Sequence, residues 1–180
     1  CKRPRYAPAC PPSLPDDDLS ADMQSHIEAA CNASGLARYE VSAFARDGHR
    51  SRHNLNYWQF GDYLGIGAGA HGKLSFAKRI VRQSRVRQPA RYMSALADAG
   101  GAVDMPANDL PFEFMLNALR LAEGVPLALF LERTGLSFAA LAEPLDVARR
   151  RGLLDGPPGL IRASPLGQRF LNDLQQIFLP

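Results

Sequence analysis

The sequence predicts an α/β protein made of two units, a mixed unit over residues 1–108 and a small, mostly helical unit over residues 109–180. In the first unit, a segment with helical apolar spacing is followed by segments whose side chains alternate as they do in strands. In the second unit, three helical patterns precede a short two-stranded wing and a last helix. That order is the outline of a winged helix, and a turn-rich stretch at residues 106–109 separates it from the first unit.

The composition, with 46% apolar and 22% charged residues, is that of an ordinary globular protein. No apolar run reaches the roughly 18–20 residues that a bilayer-spanning helix needs. The chain opens on Cys1 with a proline-rich lead-in and no apolar leader, so we expect a fragment of a longer protein. The three cysteines, Cys1, Cys10 and Cys31, match no zinc or iron–sulfur spacing. Their sparse, odd number indicates a reducing compartment.

The elements of the first unit follow from caps, periodicity and turn residues. Three aspartates at 16–18 can cap a helix whose apolar residues recur up to Cys31, and Gly35 can end it. The remaining expectations are a strand over residues 39–45, a polar loop over 46–52, a helical turn over 54–60, a strand over 63–70, a hairpin over 73–86 with its turn at Lys78-Arg79, and a helix from Pro89 through Ala97 that Gly100-Gly101 ends.

The first helix of the second unit begins at Pro111, a residue that suits the first turn of a helix. The predicted elements are a helix closed by Gly124, a helix over residues 126–134, a helix over 137–151 capped by Ser137, a small hairpin over 153–162, and a last helix from Ser164 and Pro165 to about Phe178.

A glycine-rich stretch at residues 61–72 follows the run His53-Asn54-Leu55-Asn56-Tyr57-Trp58 and is the most unusual part of the sequence. Its end, residues 67–72, formally fits G-x-G-x-x-G. A dinucleotide site would need a helix directly afterwards and an acid about 20 residues on. Here residues 73–76 look extended, and no acid occurs before Asp98. The glycines therefore favour a backbone that lies close to a ligand or to a neighbouring strand.

The side chains around the glycines allow two interpretations each. His53 is either a metal ligand or a hydrogen-bonded loop histidine, and His71 is either a ligand contact or a cap. The aromatic residues Tyr57, Trp58, Phe60 and Tyr63 either pack in the core or offer flat apolar faces to a ligand. A helical turn here would place His53 and Tyr57 on one side. The sequence shows no Ser–His–Asp or Cys–His arrangement of the kind that nucleophilic catalysis uses.

Positive charge is concentrated in the first unit. Residues 46–91 hold ten Lys or Arg but only Asp47 and Asp62, which favours an anionic ligand there or, alternatively, a solvated basic strip. Residues 109–180 hold seven Arg against eight acids. The winged outline raises nucleic-acid binding as a lower alternative. The near balance of charges argues against it, because proteins that bind nucleic acids gain most of their affinity by neutralising phosphates. Arg149–Arg151 also suit a helix C-terminus.

The run His53-Asn54-Leu55-Asn56-Tyr57-Trp58 and the stretch from Phe60 to Gly72 resemble the radical-SAM proteins related to oxygen-independent coproporphyrinogen III oxidase. The HNxxYW pattern resembles the HemW-type haem-chaperone branch of that family. Further stretches that resemble the family are residues 11–18, 39–42, 112–117 and 167–174.

The resemblance implies the C-terminal part of a partial (β/α) radical-SAM barrel, residues 1–108, followed by the winged-helix-like domain. A complete barrel needs about 250 residues, more than the first unit supplies. The family's C-x-x-x-C-x-x-C motif for a 4Fe-4S cluster is absent from this sequence. The cluster and S-adenosylmethionine are therefore expected only in the full-length protein, with no iron–sulfur ligand in this chain.

By the same resemblance, His53, Asn54, Tyr57 and Trp58 take the haem-binding role, with His53 as ligand of the haem iron. Gly65, Ile66, Gly67 and Ala68 would lie near S-adenosylmethionine. The implied function is a cytoplasmic chaperone that binds haem and delivers it to acceptor proteins, with transient contact to membrane-bound acceptors. The alternative is a porphyrinogen oxidase that decarboxylates propionates in haem biosynthesis.

Overall fold

The computed structural model describes residues 15–94 and 100–180, which fold into eight helices and seven strands. The proline-rich lead-in with Cys1 and Cys10, and the predicted helix end at Ala97, lie outside the described residues. The helices are α1 Asp17–Ala33, α2 Arg52–Trp58, α3 Pro89–Ser94, α4 Leu110–Ala118, α5 Leu127–Thr134, α6 Ala139–Arg150, α7 Pro165–Arg169 and α8 Leu171–Gln176. The strands are β1 Ala37–Glu40, β2 Ala43–Ala45, β3 His71–Phe76, β4 Arg79–Arg85, β5 Gly100–Asp104, β6 Val125–Pro126 and β7 Leu160–Ile161.

Helix α1 begins as predicted, because the Asp16 side chain accepts a hydrogen bond from the Leu19 amide at 2.8 Å. The single strand predicted over residues 39–45 is wrong. The chain instead turns back after Glu40, so that β1 and β2 form an antiparallel hairpin. The Glu40 carboxylate stabilises this turn by accepting from the backbone amide and the hydroxyl of Ser42.

The strand predicted over residues 63–70 is also wrong. Only Tyr63 pairs, through a single antiparallel bridge to Lys73, and the rest is an irregular loop. Gly67 and Gly69 have φ of 102° and 73°, which an extended strand does not allow. The alternation of Leu64, Ile66 and Ala68 imitates a strand, but these three side chains are exposed.

Strands β3, β4 and β5 form an antiparallel sheet in that order. The hairpin predicted over residues 73–86 is confirmed, with its turn between Phe76 and Arg79. The expectation that Gly100-Gly101 end a helix is wrong, since both residues begin β5. Gly100 is needed there because a side chain would collide with the carbonyl of Ser84 on β4.

The second unit has the predicted winged outline, with four differences. The N-cap of α6 is Phe138 and not the predicted Ser137. Helix α4 ends at Ala118, and tight turns, not helix, lead on to Gly124. The wing pairs β7 with β6, while residues 153–155 contribute only the bridge between Leu154 and Ala163. The last predicted helix is split into α7 and α8 at Phe170, whose backbone is not helical.

One hydrophobic core runs through both units. Phe114 and Phe130, both fully buried, pack edge-to-face with ring centroids 5.3 Å apart. Phe60, from the turn after α2, packs edge-to-face on Phe114 at 5.7 Å, and Ile80 of β4 belongs to the same cluster. The contact between Phe60 and Phe114 therefore holds the start of the glycine-rich stretch against α4. None of the helices in residues 15–94 and 100–180 is both long and apolar enough to cross a bilayer.

Candidate functional site

Helix α2 carries the HNxxYW residues and presents them on two faces. The helix is capped by Ser51, whose hydroxyl accepts from the Asn54 amide at 3.3 Å. Because side chains four positions apart share a helix face, His53 lies beside Tyr57 and Asn54 lies beside Trp58. The predicted helical turn and the predicted placement of His53 with Tyr57 are both observed.

The outer face of α2 carries a ring cluster formed by His53, Tyr57 and Tyr63. The His53 imidazole is exposed, and its centroid lies 4.8 Å from the Tyr57 ring. Tyr57 in turn stacks on Tyr63, with centroids 4.1 Å apart and planes inclined by 26°. Burial raises the pKa of the Tyr63 phenol, and the neighbouring Tyr57 raises it further. The cluster therefore offers flat rings beside a solvent-accessible imidazole.

The inner face of α2 holds Asn54 and Trp58, which are half-buried and directed at the body of the protein. The Asn54 side-chain amide donates to the Tyr39 hydroxyl of β1 at 3.1 Å. The Trp58 ring packs against the core, and the Arg120 guanidinium lies 4.2 Å from its centroid. The structure thus brings His53 and Tyr57 together on the outside, and places Asn54 and Trp58 where they hold the helix.

Helix α2 ends in a turn in which Phe60 adopts a left-handed conformation with φ of 56°. The Phe60 amide donates to the Tyr57 carbonyl at 3.0 Å, and the Gly61 amide donates to the Asn56 carbonyl at 2.7 Å. This is the Schellman arrangement, whose left-handed position is usually glycine. Phe60 occupies it because its ring is anchored in the core at 2% exposure. The orientation of α2 is therefore tied to the core.

A buried lysine lies next to the ring cluster and pairs with Tyr63 through the backbone. Lys73 of β3 is 2% exposed, and its ammonium donates to Asp62 at 3.0 Å and to the Ser75 hydroxyl at 3.1 Å while lying 4.3 Å from the Phe60 ring centroid. Burial lowers the pKa of Lys73, although Asp62 opposes the shift. For Asp62, burial acts to raise the pKa, but the hydrogen bonds from Ser75 and Lys73 outweigh it and hold the pKa below its ordinary value.

The loop of Gly65, Ile66, Gly67 and Ala68 lies against the start of β3. A side chain at Gly65 would run into the backbone of His71, so the close approach predicted for the glycines is to a strand. The Gly67 amide donates to the Tyr92 hydroxyl at 3.2 Å, and the Gly65 carbonyl accepts from Arg85 at 3.4 Å. The loop is followed by a strand and not a helix, which agrees with rejecting a dinucleotide site.

A small hollow of about 160 Å³ lies beside Tyr57 and Tyr63, and the Arg82–Glu113 ion pair, at 2.7 Å, forms part of its lining. Enclosed ligand sites usually measure about 300–1,000 Å³, so a macrocycle would not fit inside it. It would have to lie on the outside of the ring cluster, where the His53 ring is exposed and the two tyrosine rings are half-buried. Arg52, in the first turn of α2, is exposed and makes no ion pair with the described residues.

The donor set of this face fits haem and does not fit an iron–sulfur cluster. An exposed imidazole can ligate iron, and aromatic rings and arginine suit the porphyrin plane and its propionates. Within residues 15–94 and 100–180, no group of three His, Cys, Asp or Glu side chains could hold a metal ion. Cys31 is a single half-buried thiol.

Three residues at the site were not predicted from the sequence as site residues. Tyr63 was assigned only to an aromatic cluster, although its place shortly after the HNxxYW run was a usable signal. No sequence pattern assigns a role at the site to Glu40 or Arg120, because only the fold brings Arg120 to Trp58 and Glu40 to Arg120.

Comparison with known proteins identifies the second unit and the chain as a whole. Residues 105–178 match the model of the HemN C-terminal domain family. The haem chaperone HemW of Escherichia coli K12 is 41% identical over 170 residues, covering 94% of this chain and 45% of that protein. HemW of Haemophilus influenzae is 39% identical over 170 residues, covering 94% and 44%. HemW of Mycobacterium tuberculosis H37Rv is 38% identical over 147 residues, covering 79% and 35%. The chain thus spans less than half the length of these curated relatives.

Among solved structures, the chain is similar to the coproporphyrinogen III oxidase HemN from Escherichia coli, which is described as a radical SAM enzyme. The TM-score is 0.63 at 16% identity, over 92% of this chain and 42% of that one. At this identity the likeness shows the fold, and it confirms the predicted fold class; the boundary at residue 108 stays a prediction. The sequence matches show that the chain belongs to the family of proteins that carry the HemN C-terminal domain and are named haem chaperone HemW.

Proposed function

We propose that the protein carrying this chain is a cytoplasmic haem chaperone, which binds haem on the outer face of α2 and delivers it to acceptor proteins. The observation that supports this most is the ring cluster, in which the exposed His53 imidazole lies 4.8 Å from Tyr57 and Tyr57 stacks on Tyr63. The names of the relatives, haem chaperone HemW at 41% and 39% identity, support the same function.

In this proposal His53 ligates the haem iron, and Tyr57 packs against the porphyrin. Asn54 and Trp58 contribute by holding the helix, since their side chains face Tyr39 and Arg120. Gly65, Ile66, Gly67 and Ala68 would lie near S-adenosylmethionine bound by the full-length protein. That group would supply radical chemistry when bound.

An exposed site suits delivery. A haem lying on surface rings can be approached by a ligand of an acceptor protein, whether that acceptor is free or membrane-bound, before the His53 bond breaks. A haem enclosed in a deep pocket would first require the pocket to open. The 160 Å³ of the adjoining hollow therefore agrees with a carrier better than with a permanent haem protein.

The test is a titration of the 180-residue chain with haem and, in parallel, with iron-free protoporphyrin. Trp58 is the only tryptophan and lies on α2, so its emission should be quenched as either porphyrin binds. If His53 ligates iron, haem should bind more tightly than the iron-free ring and should show a shifted Soret band. Absence of saturable quenching by haem would contradict the proposal.

The alternative function is oxidation of coproporphyrinogen, which the shared fold with HemN supports. An anaerobic assay of the full-length protein with S-adenosylmethionine and porphyrinogen would distinguish the two. Release of carbon dioxide from the propionates would favour the oxidase. Haem binding without decarboxylation would favour the chaperone.

A further inference from the structure

The inner face of α2 is contacted by an ion pair from outside the HNxxYW run. The Arg120 guanidinium, in the turn after α4, lies 4.2 Å from the Trp58 ring centroid. Its Nη2 donates to the Glu40 carboxylate at 3.3 Å. Glu40 is 2% exposed, and its other oxygen accepts from the Ser42 amide at 3.2 Å and hydroxyl at 3.0 Å.

The ion pair between Arg120 and Glu40 is not a loose surface contact, because Glu40 is buried. A buried carboxylate is strongly unfavourable unless a cation and hydrogen-bond donors satisfy it, and Arg120 is the cation that Glu40 has. The Arg120 side chain is consequently fixed in place. A guanidinium held over an indole face attracts it electrostatically, so a fixed Arg120 also fixes the ring of Trp58.

The orientation of the Trp58 ring depends on Arg120 because the indole N–H does not fix the ring through a hydrogen bond. A buried tryptophan usually anchors its ring through an N–H hydrogen bond. The Trp58 Nε1 is buried and has no hydrogen-bond partner among the described protein groups. Its orientation therefore depends on packing and on Arg120.

Backbone hydrogen bonds also join β1 to the turn after α4. The Ala122 amide, two residues after Arg120, donates to the Tyr39 carbonyl at 3.1 Å. Glu40 and Leu121 form an isolated antiparallel bridge. Since the Tyr39 hydroxyl accepts from Asn54, both inner residues of α2 are held by one junction between β1 and the turn after α4.

We propose that Arg120 and Glu40 are positioning residues for the haem site. They fix Trp58, and Trp58 sets the orientation of α2 and hence of the His53 and Tyr57 rings on its outer face. The second unit thereby takes part in haem binding without touching haem. The haem part of this inference rests on the proposed function, whereas the fixing of Trp58 does not.

The experiment uses Trp58 as its own reporter in the 180-residue chain. Arg120→Met keeps the aliphatic stem but removes the cation, and Arg120→Lys restores a cation. Arg50→Met is the control for loss of an arginine ion pair at the surface, because Arg50 pairs with the exposed Glu123 at 2.5 Å. We expect Arg120→Met to shift Trp58 emission and increase its quenching by acrylamide, and to weaken haem binding by about tenfold. Arg120→Lys should recover part of both effects, and Arg50→Met should resemble the wild type.

All measurements are made where circular dichroism shows equal folded structure. Glu40→Gln provides a second variant, expected to change Trp58 emission in the same direction as Arg120→Met. Unchanged Trp58 emission and quenching in Arg120→Met would overturn the proposal. Altered emission with wild-type haem affinity and Soret band would overturn the link to haem. If the wild type binds no haem, the proposed function fails and the haem link with it, while the emission data still decide whether Arg120 fixes Trp58.

Discussion

At the scale of single residues, the HNxxYW run performs two different tasks. His53 and Tyr57 face outward and can touch a ligand, whereas Asn54 and Trp58 face Tyr39 and Arg120. Substitutions on the two faces should therefore differ in kind. Changes on the outer face should alter the bound ligand's spectrum. Changes on the inner face should alter the helix, and affinity only as a consequence.

The first prediction is that His53→Ala changes the haem spectrum and His71→Ala does not. His53 is the exposed imidazole of the ring cluster, so its loss should remove an iron ligand, shift the Soret band and weaken haem binding by at least about tenfold. His71 is also exposed but begins β3, across the glycine loop, and serves as the matched control. The measurement is an absorbance titration at equal folded content. A wild-type spectrum and affinity in His53→Ala would show that His53 is only a surface histidine.

A second residue-scale prediction concerns Asp62 and pH. The folded-state pKa of Asp62 is held below its unfolded value, so its contribution to stability is present above the unfolded pKa and is lost as pH falls through the folded pKa. Asp62→Asn should therefore destabilise the chain at neutral pH, where Lys73 loses its counter-ion. The difference from the wild type should shrink below about pH 4.

The measurement is denaturant unfolding of both proteins between pH 3 and pH 7. Asp104→Asn is the control, because Asp104 is 61% exposed and faces Arg79 at 3.8 Å, a distance at which little stabilisation is expected. An Asp62→Asn difference that is the same at pH 3 and pH 7 would mean that the carboxylate charge contributes nothing.

At the scale of elements, the turn that ends α2 shows a residue placed against its own backbone preference. Phe60 has φ of 56°, a conformation that costs most non-glycine residues free energy, and it keeps that conformation because its ring packs on Phe114. Burial of the ring outweighs the strain. The pair connects α2 to α4 and makes the position of the site depend on the core.

The prediction for this element is that Phe60→Ala lowers the free energy of unfolding by about 3–5 kcal/mol, the usual loss for a buried phenylalanine. Phe60→Gly should be less harmful than Phe60→Ala by about 1 kcal/mol, since glycine adopts a positive φ freely. Phe76, 53% exposed at the tip of the β3–β4 hairpin, gives the control, and Phe76→Ala should cost about 0.5 kcal/mol or less. Equal stability of the alanine and glycine variants, measured by urea unfolding, would argue against backbone strain at Phe60.

Elements with local signals were predictable from the sequence, and elements made by distant contacts were not. The Asp16 cap and the i, i+4 spacing of His53 and Tyr57 sufficed for α1 and for the outer face of α2. The β1–β2 turn has no glycine or proline and depends on the Glu40 carboxylate, so periodicity predicted one strand. Residues 63–70 alternate like a strand but turn at glycines. The contact between Trp58 and Arg120 has no spacing that could reveal it.

At the scale of the whole molecule, the two predicted units share one core and differ in charge. Phe60 and Ile80 of the first unit join the cluster around Phe114, so the second unit is incomplete on that side when alone. Its seven Arg and eight acids leave residues 109–180 close to neutral. The prediction that this unit does not bind nucleic acid stands to be tested by titration with duplex DNA, where tight, salt-dependent binding would contradict it.

The last prediction is that residues 109–180 fold alone and residues 1–108 do not. The second unit retains Phe114, Phe130 and Leu141, each fully buried, and its own paired strands β6 and β7. Without Phe60 it should unfold cooperatively but at lower urea than the whole chain, because one face of Phe114 becomes exposed. Residues 1–108 lose Phe114 as the partner of Phe60, and their unpaired strand edges favour association. The measurement is urea unfolding with light scattering on both pieces. A monomeric 1–108 piece with a sharp unfolding transition would show that the shared core is not required.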